Sequence, residues 1–195
     1  MPVKSTISRE GSLAAYFKKR LQRFSQASPP HDDTLWYLSH MLERYGQSRE
    51  LFEQQQGLSL QPLALLYFDA LATNNKREKL ALLRKLGDQS LFLAALFPEY
   101  FARRGIRKDY MVGMGGAAYY YVAEASKQQA HIFSELATGF ARLLSLVSQA
   151  CSKEHFFDAQ DILLLHQRWL NNKDQLAEQQ LRAVGIIPID PSWQH

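Results

Sequence analysis

Residues 86–122 read LGDQSLFLAALFPEYFARRGIRKDYMVGMGGAAYYYV and carry the strongest structural signal in the chain. Leu91, Phe92, Leu93, Leu96 and Phe97 cover every side of a helical projection, so a helix over 91–97 must be buried all round. The same stretch holds Asp88, Pro98, four glycines after position 100 and five tyrosines. None of these improves a generic helix, so several must answer specific geometric or polar demands.

Working outward, 76–86 is amphipathic, and Gly87-Asp88 falls where the pattern changes. Asp88 is therefore expected to cap a separate, buried second helix. Pro98 and Gly105 bracket a short turn over 99–104. Asp109 offers a cap for a helix reaching Glu124, and a second periodic segment covers 128–151. Further segments follow at 154–170 and 173–184, with Gly185 as a stop before an apolar extended tail, Ile186-Ile187-Pro188-Ile189. Upstream, 12–26 repeats apolar residues every three or four positions until Ser28-Pro29-Pro30 breaks it. Asp32 or Asp33 caps a helix through Arg44 that Gly46 ends. A short turn is expected at 49–54, and Pro62 opens a helix to Ala72. No segment alternates with a period of two. The expected fold is an all-α, single-domain helical bundle of about seven to nine helices. Residues 1–30 form a basic N-terminal helix and a Pro-containing linker, 31–195 the bundle, and 186–195 an extended tail.

Composition narrows the class. Apolar residues make up 46% and charged residues 22%, which suits a globular chain. The longest uncharged runs, between Glu53 and Asp69 and between Asp109 and Glu124, are fifteen and fourteen residues. A membrane span needs about 20 apolar residues, so none is expected. The polar start, MPVKSTISREGS, lacks the apolar core of a secretory signal, and the lone Cys151 suits a reducing compartment. Cytoplasmic localisation follows. The net charge of +4 is uneven: 76–108 carries nine basic and three acidic groups, 1–30 six basic and one acidic. The two blocks form either an anion-attracting surface or solvated helix faces, and solvated faces are expected.

Glu124, His131 and Glu135 are the candidate metal ligands, because offsets of 7 and 11 put them within about 40° on one helix. Phe133, Leu136 and Phe140 mark the opposite, buried side, so a solvated trio and no bound metal are expected. A break near 126–129 would remove the alignment. His166, among Leu163, Leu164, Leu165 and Trp169, reads as a core-edge histidine. Gly113, Gly115 and Gly116 lack the strand and lysine of a phosphate loop. In a helix each costs about 1 kcal/mol against alanine, which close approach of a helix or a ligand would offset. Asp88, Gly113, Gly116, Tyr119 and Tyr120 are accordingly the candidate ligand or partner groove. Asp88 is either a cap or Arg84 partner, or a buried acid facing that groove. A buried tyrosine hydroxyl needs a partner, and Asp88 or Glu99 is the candidate. Arg103, Arg104, Arg107 and Lys108, interleaved with Tyr100, Phe101 and Tyr110, are the candidate anion site.

The pattern Leu86-Gly87-Asp88, Leu91-Phe92, Phe97-Pro98-Glu99, then Tyr110, Gly113, Gly116 and Ala118-Tyr119, with Trp169-Leu170 and Leu181…Gly185-Ile186, resembles a group of proteobacterial cytoplasmic proteins. The likeness covers residues 36–189 and implies an all-helical fold in a bacterial cytosol. It transfers no catalytic residue. Three functions remain open. One is a non-enzymatic interaction or regulatory module, with a protein partner or a second copy as a homodimer. Another is a helix-bundle enzyme or small-ligand binder with a Tyr/Asp-lined internal pocket. The last is phosphate or nucleic-acid binding through the basic blocks. No catalytic residue or cofactor is expected.

Overall fold

The computed structural model describes residues 12–47, 63–151, 159–183 and 186, and every regular element among them is a helix. In chain order these are α1 (Leu13–Phe24), α2 (Asp32–Gln47), α3 (Leu63–Ala72), α4 (Lys76–Leu96), α5 (Pro98–Ala102), α6 (Lys108–Ala125), α7 (Ala130–Thr138), α8 (Phe140–Ala150), α9 (Ala159–Asn172) and α10 (Gln175–Ala183). The protein is an all-α helical bundle. Among the described residues no helix is long and apolar enough to cross a membrane.

The axis is α4. Asn75 starts it, its side chain accepting from the Arg77 and Glu78 amides at 3.0 and 3.4 Å. The helix then runs unbroken through Gly87 and Asp88. Asp88 is therefore not a cap: the amphipathic and fully buried halves expected as two helices are one. The change in pattern marks where α4 passes from the rim of the bundle into its centre. Beyond it Leu91, Phe92, Leu93 and Leu96 are all buried, with Phe97 half-buried behind them.

α4 packs most extensively on α6, and also on α3 and α8. Two glycines permit the α4–α6 approach. At Gly87 a Cβ would lie 2.6 Å from the Tyr119 ring. At Gly115 it would collide with the Phe140 ring and come within 2.9 Å of Ser90 Cβ. α6 begins at Lys108, so Asp109 sits in its first turn, paired with Arg107, rather than capping it. It ends at Ala125, and the periodic stretch that follows is divided at Gly139 into α7 and α8.

α2 packs on α1, α7 and α9. It reaches past Arg44 to Gln47, so Gly46 does not end it. α1 buries Leu13, Phe17 and Leu21 in the same apolar cluster as α4, α6 and α8. Its basic face is partly engaged: Lys18 pairs with Asp32 at 3.0 Å and lies over Trp36, and Arg20 donates to the Ala150 carbonyl. Ile186 is buried, its amide bonded to the Leu181 carbonyl at 2.9 Å. The expected turn at 49–54, Pro62 and Gly185, and the tail beyond Ile186, lie outside the described residues.

Candidate functional site

α2 and α4 do not lie backbone against backbone as α4 does with α3, α6 and α8; long side chains bridge them. Those bridges converge on Asp88. Its side chain is almost wholly withdrawn from water, at 3% exposure. Oδ1 accepts the Tyr37 hydroxyl at 2.5 Å and the Tyr119 hydroxyl at 2.8 Å, and Oδ2 accepts Arg44 Nη2 at 2.8 Å. Arg84 Nε donates to the Tyr37 oxygen at 3.0 Å, with its guanidinium over the Tyr37 and Phe133 rings. Tyr45 completes the wall, stacked on Phe92 with ring centroids 4.8 Å apart.

The local sequence explains the placement. Tyr37 and Arg44 are seven residues apart on α2, within about 20° of each other on the helix. They flank its buried stripe of Leu35, Leu38, Met41 and Leu42 and lean towards α4. Arg84 and Asp88 are one turn apart on α4 and so share a face. Tyr119 comes from α6 across the smooth surface of Gly87; any side chain there would displace its ring.

Electrostatics within the cluster follow from burial. Desolvation pushes the Asp88 carboxyl above the ordinary carboxylate range, while the two phenol donors and the Arg44 and Arg84 charges pull the other way. Burial first, and the Asp88 carboxylate second, raise the phenols of Tyr37, Tyr45 and Tyr119 well above their ordinary value, so all three are donors at neutral pH. Burial on its own would weaken the hold of Arg84 on its proton, but Tyr37 and Asp88 more than compensate.

Beside this cluster opens a cleft of about 460 Å³, walled by Arg44, Tyr45, Arg84, Lys85, Val122 and Phe133, with Asp88 in its floor and Ser126 and Gln129 at its edge. Among the described residues, Arg44, Arg84 and Lys85 face a single acid there, a net charge of +2 on the described walls. Asp88 already holds three donors. The two terminal nitrogens of Arg84 and the ammonium of Lys85 have no hydrogen-bonding partner among the described residues. An acid-poor cleft with unspent cationic donors and apolar walls is equipped to hold an anion on a compact apolar body.

Of the expected groove residues, Asp88 and Tyr119 meet, and of the two partners expected for a buried tyrosine hydroxyl, Asp88 and Glu99, Asp88 is the one observed. The others do not join them. Gly113 lies in a different hollow with Tyr121, a Cβ at Gly116 would make only ordinary contact with Ala137 and Phe140, and Tyr120 is 59% exposed. The glycines that close approach requires are Gly87 and Gly115. Arg103, Arg104 and Arg107 lie in the exposed turn between α5 and α6, and Lys108 is the exposed first residue of α6. There Arg103 Nε bonds the Glu99 carbonyl and Arg107 pairs with Asp109.

Glu124, His131 and Glu135 do not share a helix, since α6 ends before α7 begins. His131 pairs with Asp33 at 2.9 Å, and Glu135 with Arg142 at 3.2 Å. No three His, Cys, Asp or Glu side chains among the described residues are grouped to hold a metal ion. His166 is buried against Trp169, and desolvation lowers its pKa to about 4.

Tyr37, Arg44 and Tyr45 were not singled out as site residues in the sequence, and Arg84, expected as a direct partner of Asp88, instead donates to the Tyr37 hydroxyl while Arg44 takes the carboxylate. The available signal was the seven-residue spacing of Tyr37 and Arg44 at the edge of an apolar stripe, with Arg84 one turn before Asp88. No protein-family model matches the chain, and no curated protein or solved structure matches it significantly, so the chemistry of the cleft is read from its own geometry.

Proposed function

We propose that this chain is a helical ligand-binding module that holds a small molecule with a carboxylate or phosphate head in the cleft between α2, α4 and α6. One observation carries the proposal: Arg44, Arg84 and Lys85 line a cleft of about 460 Å³ in which the single acid among the described residues already holds three donors. Clefts of roughly 300–1,000 Å³ suit small ligands. Asp88 is a positioning residue here. It orients Tyr37, which engages Arg84 through Nε and leaves both terminal nitrogens for a planar, forked contact with the anion. Tyr45, Val122 and Phe133 would receive the apolar body. A bacterial cytosolic setting belongs to the same proposal, and the lone, buried Cys151 supports its reducing compartment alone.

Isothermal titration with phenyl phosphate, benzoate and inorganic phosphate tests it. Phenyl phosphate should bind saturably at one site and more tightly than inorganic phosphate. Arg84→Gln with Lys85→Gln should weaken it by about tenfold or more, equivalent to about 1.4 kcal/mol. Arg103→Gln with Arg104→Gln should leave it within about twofold. Absence of saturable binding for all three probes, or equal weakening in both double variants, overturns the proposal.

The interaction-module function keeps separate support from an apolar hollow on another side of α6.

A further inference from the structure

That hollow, about 640 Å³, is walled by Tyr67 and Leu71 of α3, Leu83 of α4, and Gly113, Ala117 and Tyr121 of α6. Tyr110, Gly113, Ala117 and Tyr121 recur every three or four residues, so they form one stripe along α6. From Tyr110 to Tyr121 it extends roughly 16 Å, about three helical turns. Tyr67, Leu71, Tyr110 and Tyr121 each keep between 43% and 56% of their surface at water. A Cβ at Gly113 would meet nothing within 4 Å, so the floor is open to an incoming side chain. Contiguous exposed apolar surface of this kind marks an interaction site.

The charges at its ends identify the occupant. α4 and α6 run antiparallel, with Ser90 beside Gly115 and Lys79 over the Tyr121 ring at 5.3 Å. The N-terminus of α4, with Lys76, Arg77 and Lys79 against Glu78, therefore lies at one end of the stripe, and the N-terminus of α6, where Asp109 in the groove wall pairs with Arg107 and leaves Lys108, at the other, so each end keeps a net positive charge. Lys79 and Lys108 have no acidic partner among the described residues. Cations sit at the ends of the stripe rather than along it, which does not suit a nucleic-acid backbone needing charge along its track. A concave wall three turns long suits a helix better than a flat bilayer.

We propose that this groove docks an amphipathic helix of a partner protein, about three to four turns long, with acidic residues flanking its apolar stripe at both ends. It is distinct from the Asp88 cleft and stands without it.

The test uses two synthetic peptides of about 14 residues, matched to the groove length, with the same leucine stripe and either glutamate or lysine at both ends. Fluorescence anisotropy measures each against the wild type, Gly113→Leu, and the double variant Lys79→Glu with Lys108→Glu. The glutamate peptide should bind saturably, about tenfold or more weaker to Gly113→Leu and several-fold weaker to the charge-reversed variant. The lysine peptide should bind poorly to the wild type and better to the charge-reversed variant. Gly113→Leu should keep the wild-type melting temperature, and the charge-reversed variant provides an independent test should it not. Failure of the glutamate peptide to bind, or equal binding of both peptides, overturns the proposal. So does a homodimer in light scattering that Gly113→Leu splits, which would assign the groove to a second copy. Sedimentation with phosphatidylglycerol vesicles that Gly113→Leu abolishes would assign it to a lipid surface and equally overturn it.

Discussion

The two sides of α6 use the same residue types to opposite ends. On one side Gly115 and Tyr119 are pressed against α4 and α8: Gly115 admits the Phe140 ring, and Tyr119 crosses Gly87 to reach Asp88. On the other, Gly113 faces open space and Tyr121 remains 47% exposed beneath Lys79. Glycine next to tyrosine thus means close packing in one place and an unfilled hollow two residues away. The difference is the neighbour. α4 and α8 close over the first side, whereas α3 stands off from the second and leaves a groove.

The sharpest way to break the contrast is to add one methyl group to each glycine. Gly115→Ala should destabilise the protein by about 3 kcal/mol, because a buried phenylalanine and Ser90 must both move. Gly113→Ala should be neutral or stabilising by up to about 1 kcal/mol, since a helix gains from alanine where space is free. Urea denaturation of both variants decides it. Equal losses would mean that the open side is packed in solution.

Removing single hydroxyl groups asks the same question of the tyrosines. Tyr119→Phe deprives a buried carboxylate of a 2.8 Å donor and should cost about 2 kcal/mol. Tyr121→Phe changes a half-exposed ring and should stay within about 0.5 kcal/mol. Matching denaturation midpoints for the pair would show that the Asp88 bond contributes nothing to the difference between the two sides.

The smallest effect is a pH dependence specific to the inner side. Burial raises the Asp88 pKa on folding, so its contribution is fully present below the ordinary carboxylate range and declines as pH rises through the raised value. Asp88→Asn cannot titrate. The wild type should therefore gain on Asp88→Asn as the pH falls from 8 towards 4. Melting curves at several pH values measure the gap between the two proteins. The buried His166 titrates in both and cancels. A gap that widens in favour of Asp88→Asn on acidification would reverse the assigned direction.

Much of the bundle was legible in the chain because helical periodicity is a local property. The buried run 91–97, the amphipathic 76–86, the break near 126–129 and the helix starting near Asp32 can all be read within one or two turns. So can the need of a buried tyrosine for an acid, since an unsatisfied hydroxyl costs free energy wherever it lies. The errors share one cause. Asp88 reads as a cap because carboxylates commonly cap helices, and only the approach of Tyr37, Arg44 and Tyr119 from other helices makes a carboxylate tolerable inside α4. Gly113 and Gly116, rather than Gly115, were the expected places of close approach, but which glycine meets a ring depends on where Phe140 of α8 points.

The sequence by itself determined the helical class, the residues that must be buried, and the presence of a polar demand near Asp88 and the tyrosines. These follow from spacing along one chain and from the cost of burying or exposing each side chain. The tertiary structure alone decided that the demand is met by α2, that Arg84 and Lys85 are left facing a cleft, and that one side of α6 is closed while the other is open. Those outcomes depend on contacts between residues 31 to 51 positions apart, and local periodicity carries no information about which distant helices will face each other.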